Sequence, residues 1–295
     1  MDPATYYKDL LLSGITVGSL YALIAIGYTM VYGILRLINF AHGDIFMMAG
    51  FFMVYISASM PMAVAIPVVL LMTVALGLLI ERAAYKPLRS APRMSVMISA
   101  IGVSYLLQNL ATYITGGLAR PYPEIPFLKG TFMLGELKIK VITVVTPLLT
   151  VLLVIALVLF INHTKTGMAM RAVSRDFDTA RLMGIKVDNI ISVTFIIGSF
   201  LAGVGSILYF SNYGQVSPTI GAMPGLKAFV AAVFGGIGSI PGAVLGAYII
   251  GICESLIKAN DAIAIFSNAF TFALLILVLL FKPNGMFGEK LAEKV

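Results

Sequence analysis

The residues of this chain best suited to chemistry lie in two short runs, each set between long apolar stretches. The first is Asn39-Phe40-Ala41-His42-Gly43-Asp44, three polar side chains beside a glycine. An ionisable group at the centre of a bilayer costs about 2.5–3.5 kcal/mol on insertion scales, so His42 and Asp44 need partners or water. One reading makes this run a gate or pathway lining, with Asn39 capping the next helix. The other makes it a turn at the cytoplasmic interface, with Arg36 pairing Asp44 and nothing deeply buried. The second run is Gly235-Gly236-Ile237-Gly238-Ser239-Ile240-Pro241-Gly242. Proline removes a helical hydrogen bond, and glycine weakens a helix by about 1 kcal/mol. Two short helices meeting at a break are expected there. The half-helix ends at this break, around Gly236, Gly238, Ser239 and Pro241, then line a pathway or gate and present free backbone N–H groups to an anion such as a carboxylate, Pro241 itself having none to give. Alternatively they mark a close helix crossing, as the spacings Gly242-xxx-Gly246 and Ala243-xxx-Ala247 suggest.

Other chemistry is missing from the sequence. It holds no G-x-x-x-x-G-K-[ST] phosphate loop, no H-E-x-x-H and no G-x-S-x-G elbow. The two histidines, His42 and His163, and the single Cys253 make neither a metal cluster nor an internal disulfide. No catalytic residue, metal site or bound cofactor is expected, and the chain is not read as an enzyme.

The elements that must carry these runs are membrane spans. Hydrophobic residues make up 60% of the chain and charged ones 11%, with a mean hydropathy of +1.00, which rules out an ordinary globular surface. Read between flanking charges, the apolar windows are 10–35, 45–80, 94–119, 141–164, 189–226, 228–253 and 262–281. A span needs about 20 apolar residues, and the windows 45–80 and 189–226 are long enough for hairpins. The expected fold is all-α: a polytopic transmembrane bundle with broken or re-entrant helices, forming one transmembrane domain over 1–295. Tyrosines replace the absent tryptophan as interfacial anchors, at Tyr6, Tyr7, Tyr113, Tyr122, Tyr209 and Tyr213.

The net charge of +7 reports orientation rather than nucleic-acid binding. The loop 82–95 carries Arg82, Lys86, Arg89 and Arg93. The loop 162–189 carries Lys165, Arg171, Arg175, Arg181 and Lys186, and the tail carries Lys282, Lys290 and Lys294. All three are assigned to the cytoplasm. The segment 119–140, with Pro121, Pro123 and Pro126, is an extended external loop. Parity favours an outside N-terminus and eight full-length helices, or those with one extra half-helix pair. The two interruptions are read as counterparts in two halves of a repeat.

The loop 162–189 is too patterned for a passive connection. Met170, Val173, Phe177, Ala180 and Gly184 recur at helical intervals while Arg171, Arg175, Asp176, Asp178 and Arg181 take the other faces. One or two short amphipathic helices are expected, with Asp176 or Ser174 as N-cap and Gly184 as the stop. They either lie on anionic lipid or dock a cytoplasmic partner, with Phe177 and Met183 filling its groove.

Two long motifs now carry a resemblance. Ser19 to Gly33 (SLYALIAIGYTMVYG) leads to Ile38 to Asp44, and Met223 to Ala232 (MPGLKAFVAA) leads to Gly235 to Gly242. With the tail Lys282 to Gly288, they resemble the branched-chain amino acid ABC transporter permease family over nearly the whole chain. The resemblance is to the first of the family's two related permeases, though urea and short-amide importers share the motifs. It implies a multi-pass protein of the bacterial inner membrane that forms half of a translocation pathway. It also implies a second permease (a homologue or another copy), two cytoplasmic ATPase subunits and a periplasmic binding protein. Asp178-Thr179-Ala180 with Gly184 resembles the Glu-Ala-Ala…Gly coupling loop of such importers, with Asp for Glu and Thr for the first Ala. The coupling set is then Arg175, Asp176, Phe177, Asp178, Ala180, Met183 and Gly184. The rival from another class is a self-sufficient secondary transporter using His42 and Asp44 as a proton relay.

Overall fold

The computed structural model describes residues 3–89, 91–134, 137–282 and 285–287. Lys290 and Lys294, used above to place the C-terminus, lie outside the described residues. So do Pro283, Asn284 and Gly288 of the tail motif.

Among the described residues, six helices are long and apolar enough to cross a membrane. They are α1 (Pro3–Leu35), α3 (Met62–Ile80, extended by a π turn and a 3-10 turn to Leu88), α4 (Arg93–Thr115), α5 (Val141–His163), α8 (Val187–Tyr213) and α10 (Ile240–Lys258). Three shorter apolar helices accompany them: α2 (His42–Ile56), α9 (Ala222–Gly235) and α12 (Ser267–Phe281). The remaining helices are α6 (Lys165–Arg175), α7 (Phe177–Leu182) and the single turn α11 (Asp261–Ala264). The all-α polytopic bundle is therefore as expected. Eight full-length helices are not, because the chain uses half-length helices where a simple count of windows requires whole ones.

The core is built from α1, α2, α8, α9 and α10. α1 is buried around almost its whole circumference from Ser19 to Val31, so it has no polar face to show. Glycines let neighbouring backbones touch it. A Cβ on Gly14 would sit 2.9 Å from the Ile252 backbone, and one on Gly18 would sit 2.8 Å from that of Tyr248. α3, α4, α5 and α12 are peripheral, with apolar outer faces such as Leu71, Leu106, Leu152 and Leu280 left bare, as bilayer lipid requires.

The basic loops gather at one end. Arg89 forms ion pairs with Glu81 and with Asp188 at the start of α8, and Lys86 lies 3.8 Å from Asp188. Arg36, at the end of α1, donates to the Ser174 carbonyl on α6 at 3.3 Å. By the positive-inside rule this is the cytoplasmic end. The start of α1 lies at the opposite end, where the Tyr6 hydroxyl reaches the Ala259 carbonyl.

The external loop is more structured than its prolines suggest. Strand β1 (Arg120–Pro121) pairs antiparallel with β4 (Gln215–Val216), and β2 (Thr131–Leu134) pairs with β3 (Leu137–Lys140) as a hairpin. The β1–β4 pair also explains why the window 189–226 is no hairpin of spans. After α8 the chain turns at Gly214, in the left-handed region at φ 75°, and is tied to the external loop before α9 begins. The tyrosines divide accordingly. Tyr6, Tyr7 and Tyr113 are exposed as interfacial anchors, whereas Tyr122 is buried against Phe210.

Candidate functional site

Three groups of residues meet the conditions for a working site: the cytoplasmic elbow, a cavity above it, and a polar knot where two half-helices begin.

The elbow is α6 and α7. Thr164 caps α6 by accepting from Gly167 N at 3.0 Å, and Asp176 caps α7 by accepting from Thr179 N at 2.8 Å. Gly184 stops the pair in the left-handed region at φ 81°. Met170, Val173 and Ala180 face the core, as their spacing predicts. Phe177 corrects the expectation. It is half-buried and packs onto the core cluster, so it anchors the elbow and cannot fill a partner's groove. The exposed apolar pair is Leu182 and Met183, 87% and 79% exposed, and Leu182 is the residue the sequence reading missed. Asp178 is exposed and lies 3.7 Å from Arg181.

The cavity, of about 600 Å³, opens beside α6 and brings several predicted residues together. Gly238, Ser239 and Pro241 of the break line one side and Arg175 the other, joined by Arg36 and Arg171. The break therefore sits at the cytoplasmic mouth. Gly236 and Gly238 reach φ 107° and 100°, and Ser239 caps α10 by accepting from Gly242 N at 3.2 Å. The contacts show the close crossing. Beyond the turn, Gly235 faces Gly242 and Gly246 faces the Ala231 carbonyl so closely that no Cβ fits. Arg36, at φ 56°, is the one non-glycine among the described residues in the left-handed region. An L-residue pays about 1–2 kcal/mol there, and the surrounding contacts hold it in place.

The polar knot lies in the interior. α2 begins at His42 and α9 at Ala222, two turns inside the end of α1 at the level of Tyr28. Their first turns touch: a Cβ on Gly43 would meet the Gly221 carbonyl at 2.7 Å, and one on Gly225 would lie 3.2 Å from the Tyr28 hydroxyl. Asn39, His42 and Asp44 are buried at 1–2% exposure, which removes the interfacial-turn reading. The Arg36–Asp44 pair is absent. Asp44 accepts instead from Gln108 on α4 at 3.0 Å. Nor does Asn39 cap α2. Its Oδ1 accepts from the Tyr85 hydroxyl at 2.9 Å, and the capping position is held by Ala41 without a side-chain bond.

His42 slots between Gly27 of α1 and Gly198 of α8 and stacks edge-on against Tyr28 at 4.9 Å. Its Nε2 and the Asn39 Nδ2 find no hydrogen-bond partner among the described residues. His42 and Asp44 are thus aimed at different neighbours, an arrangement without a relay between them. The 214–221 connection shares with this interruption a feature that the 235–242 break lacks: each leads a long helix into a half-length one that starts in the interior. Gly27→Ala would drive a Cβ into the His42 ring and is expected to cost about 1–3 kcal/mol as overpacking. A lowered thermal midpoint of the purified protein, restored by adding His42→Ala, would check this.

An ionic cluster was hidden from the sequence reading. Glu254 Oε1 accepts from Lys227 at 2.6 Å and from Lys258 at 2.5 Å, and Oε2 accepts from the Tyr21 hydroxyl at 2.8 Å. In the sequence Lys227 and Glu254 bound apolar windows, yet both are buried within the bundle. The only advance signal was a lysine and a glutamate each flanked on both sides by apolar helix.

Comparison with known proteins gives these groups a context. Residues 10–279 match the family described as branched-chain amino acid transport system, permease component. The chain is 42% identical to the high-affinity branched-chain amino acid transport system permease protein BraD of Pseudomonas aeruginosa, over all of both chains. It is 40% identical to the corresponding protein LivH of Escherichia coli K12, over 98% of each. It is 28% identical to the probable permease LivH of Methanocaldococcus jannaschii, over 95% of this chain and 92% of that one.

Proposed function

The chain belongs to the branched-chain amino acid transport system permease family, and from that premise we propose that it forms half the pathway of an ATP-driven importer for leucine, isoleucine and valine. A periplasmic protein delivers the amino acid, a second permease completes the path in the bacterial inner membrane, and two cytoplasmic ATPase subunits supply the work. The observation that carries the reading beyond the family is the elbow: two capped amphipathic helices at the basic end, presenting Leu182 and Met183 outward. Their inner face is fastened to the bundle.

The coupling route follows from those fastenings. Arg175, Asp176, Phe177, Asp178, Ala180, Met183 and Gly184 make the coupling element, with Phe177 and Ala180 as its roots and Leu182 and Met183 as its contact. Closure of the ATPase subunits moves α6 and α7 as one piece. Arg36 passes the motion to the end of α1, and so to the chain leading into the polar knot. Asn39, His42, Gly43 and Asp44 act there as a hinge, which explains their burial. Gly236, Gly238, Ser239 and Pro241 let the α9–α10 turn move at the inner mouth. Exposed Met223 and Leu226 on α9 give the pathway an apolar wall suited to branched side chains. Selectivity rests mainly with the binding protein, so the wall needs no dense charged site. This chain supplies no catalytic group, metal or cofactor of its own.

Purification from its native membrane tests the reading. An ATPase with a phosphate-binding loop should accompany the chain, and vesicles holding the complex should take up leucine only with internal ATP and external binding protein. Leucine uptake by the isolated chain, driven by a proton gradient, would overturn it.

A further inference from the structure

The cavity at the cytoplasmic mouth carries positive charge that the coupling role leaves without a counter-charge. Its polar side holds three guanidinium groups, Arg36, Arg171 and Arg175, with Ser239 at the first turn of α10. No carboxylate lines it among the described residues. Among the described residues the Arg36 side chain bonds to the Ser174 carbonyl, and Arg171 to the Ile161 carbonyl and the Asn162 amide oxygen, so neither is paired with a carboxylate. Arg175 has no partner among the described residues. Arg171 and Arg175 stand one turn apart on the same face of α6, four residues apart, so both forks point to one region. Guanidinium forks match the two free oxygens of a phosphodiester.

The other side of the cavity is apolar. Val158 of α5, Leu279 of α12, Ile240 and Phe287 line it. α5 and α12 have bare apolar outer faces: Leu152, Ile155 and Leu159 on one, and Ile276, Leu277 and Leu280 on the other, are all more than half exposed. Bilayer lipid covers those faces, so the apolar wall is continuous with the hydrocarbon phase. At about 600 Å³ the space falls within the range of small-ligand sites. A basic pocket between spanning helices on the cytoplasmic side suits an anionic headgroup, while apolar flanks suit its chains.

We infer that this cavity holds an anionic phospholipid of the inner leaflet, its phosphate on Arg171 and Arg175 and its first acyl carbons on Val158 and Leu279. A bound phosphate there would also neutralise charge that otherwise repels across the mouth, and would stiffen α6 against α10. The inference needs only the membrane placement of the chain and not its transport role.

The test uses the permease purified with its associated subunits, equilibrated with phosphatidylglycerol or phosphatidylcholine, and the retained lipid counted by native mass spectrometry. Phosphatidylglycerol should be retained over phosphatidylcholine. The Arg171→Gln/Arg175→Gln double variant should retain at least five-fold less. Val158→Trp, which fills the apolar half and leaves every arginine in place, should also lose phosphatidylglycerol. Equal retention of the two lipids by the native protein would overturn the inference. So would unchanged retention in both variants. Displacement of the lipid by millimolar leucine would assign the cavity to the solute's carboxylate, and displacement by inorganic phosphate at the same level would reduce it to a general anion site.

Discussion

Replacing Glu254 with Ala is expected to cost about 3–5 kcal/mol, because it leaves the Lys227 ammonium buried without a counter-charge. Lys227 and Glu254 are 5% and 2% exposed, on α9 and α10, and Tyr21 of α1 closes the cluster from the third side. The cluster therefore ties a half-length helix to two full ones. Lys258 is half exposed and contributes less, since water screens it. Membranes should hold much less folded permease in the variant, and its thermal midpoint in detergent should fall sharply. The double replacement Lys227→Met/Glu254→Gln should recover most of the loss, as it removes both charges together. A single variant as stable as the parent would show that Lys227 finds another partner or reaches water.

The second large effect concerns the elbow. Leu182→Asp with Met183→Asp is expected to lower ATP-driven uptake about ten-fold or more, while the amount of permease in the membrane stays constant. Both side chains are exposed and support no other part of the bundle, so folding has little stake in them. A charge placed in an apolar contact must be desolvated without a partner, and central apolar anchors commonly carry more than 1–2 kcal/mol of a docking energy. Phe177→Asp is the less informative choice. Its ring packs on the core, so that change would damage the elbow and its docking together. Full uptake and unaltered copurification of the ATPase with the double variant would remove α7 from the contact.

Much of this molecule is written in local pattern. Apolar run length placed the chain in a membrane without giving the right count of full-length helices, arginine and lysine placement marked the basic end, and 3.6-residue periodicity with Asp176 and Gly184 marked the elbow. Gly-Gly-Ile-Gly-Ser-Ile-Pro-Gly marked the α9–α10 turn for the same reason, since backbone freedom and a missing amide act on neighbouring residues alone. The family motifs were equally plain along the chain.

What the sequence could not supply were pairings between distant helices. Hydropathy ranks a residue by itself, so Lys227 and Glu254 read as edges of spans until packing set them against each other. Asn39 stands where a helix cap belongs, but Tyr85, 46 residues away, captures its oxygen. Phe177 sits on the face that spacing assigns to a groove, and only the bundle above α7 decides that the ring turns inward. The apolar windows determined that this chain lies in a membrane, and the placement of arginine and lysine determined which end is basic. Tertiary packing alone decided which buried charges meet, because each such contact depends on backbones that glycines allow to approach from different parts of the chain.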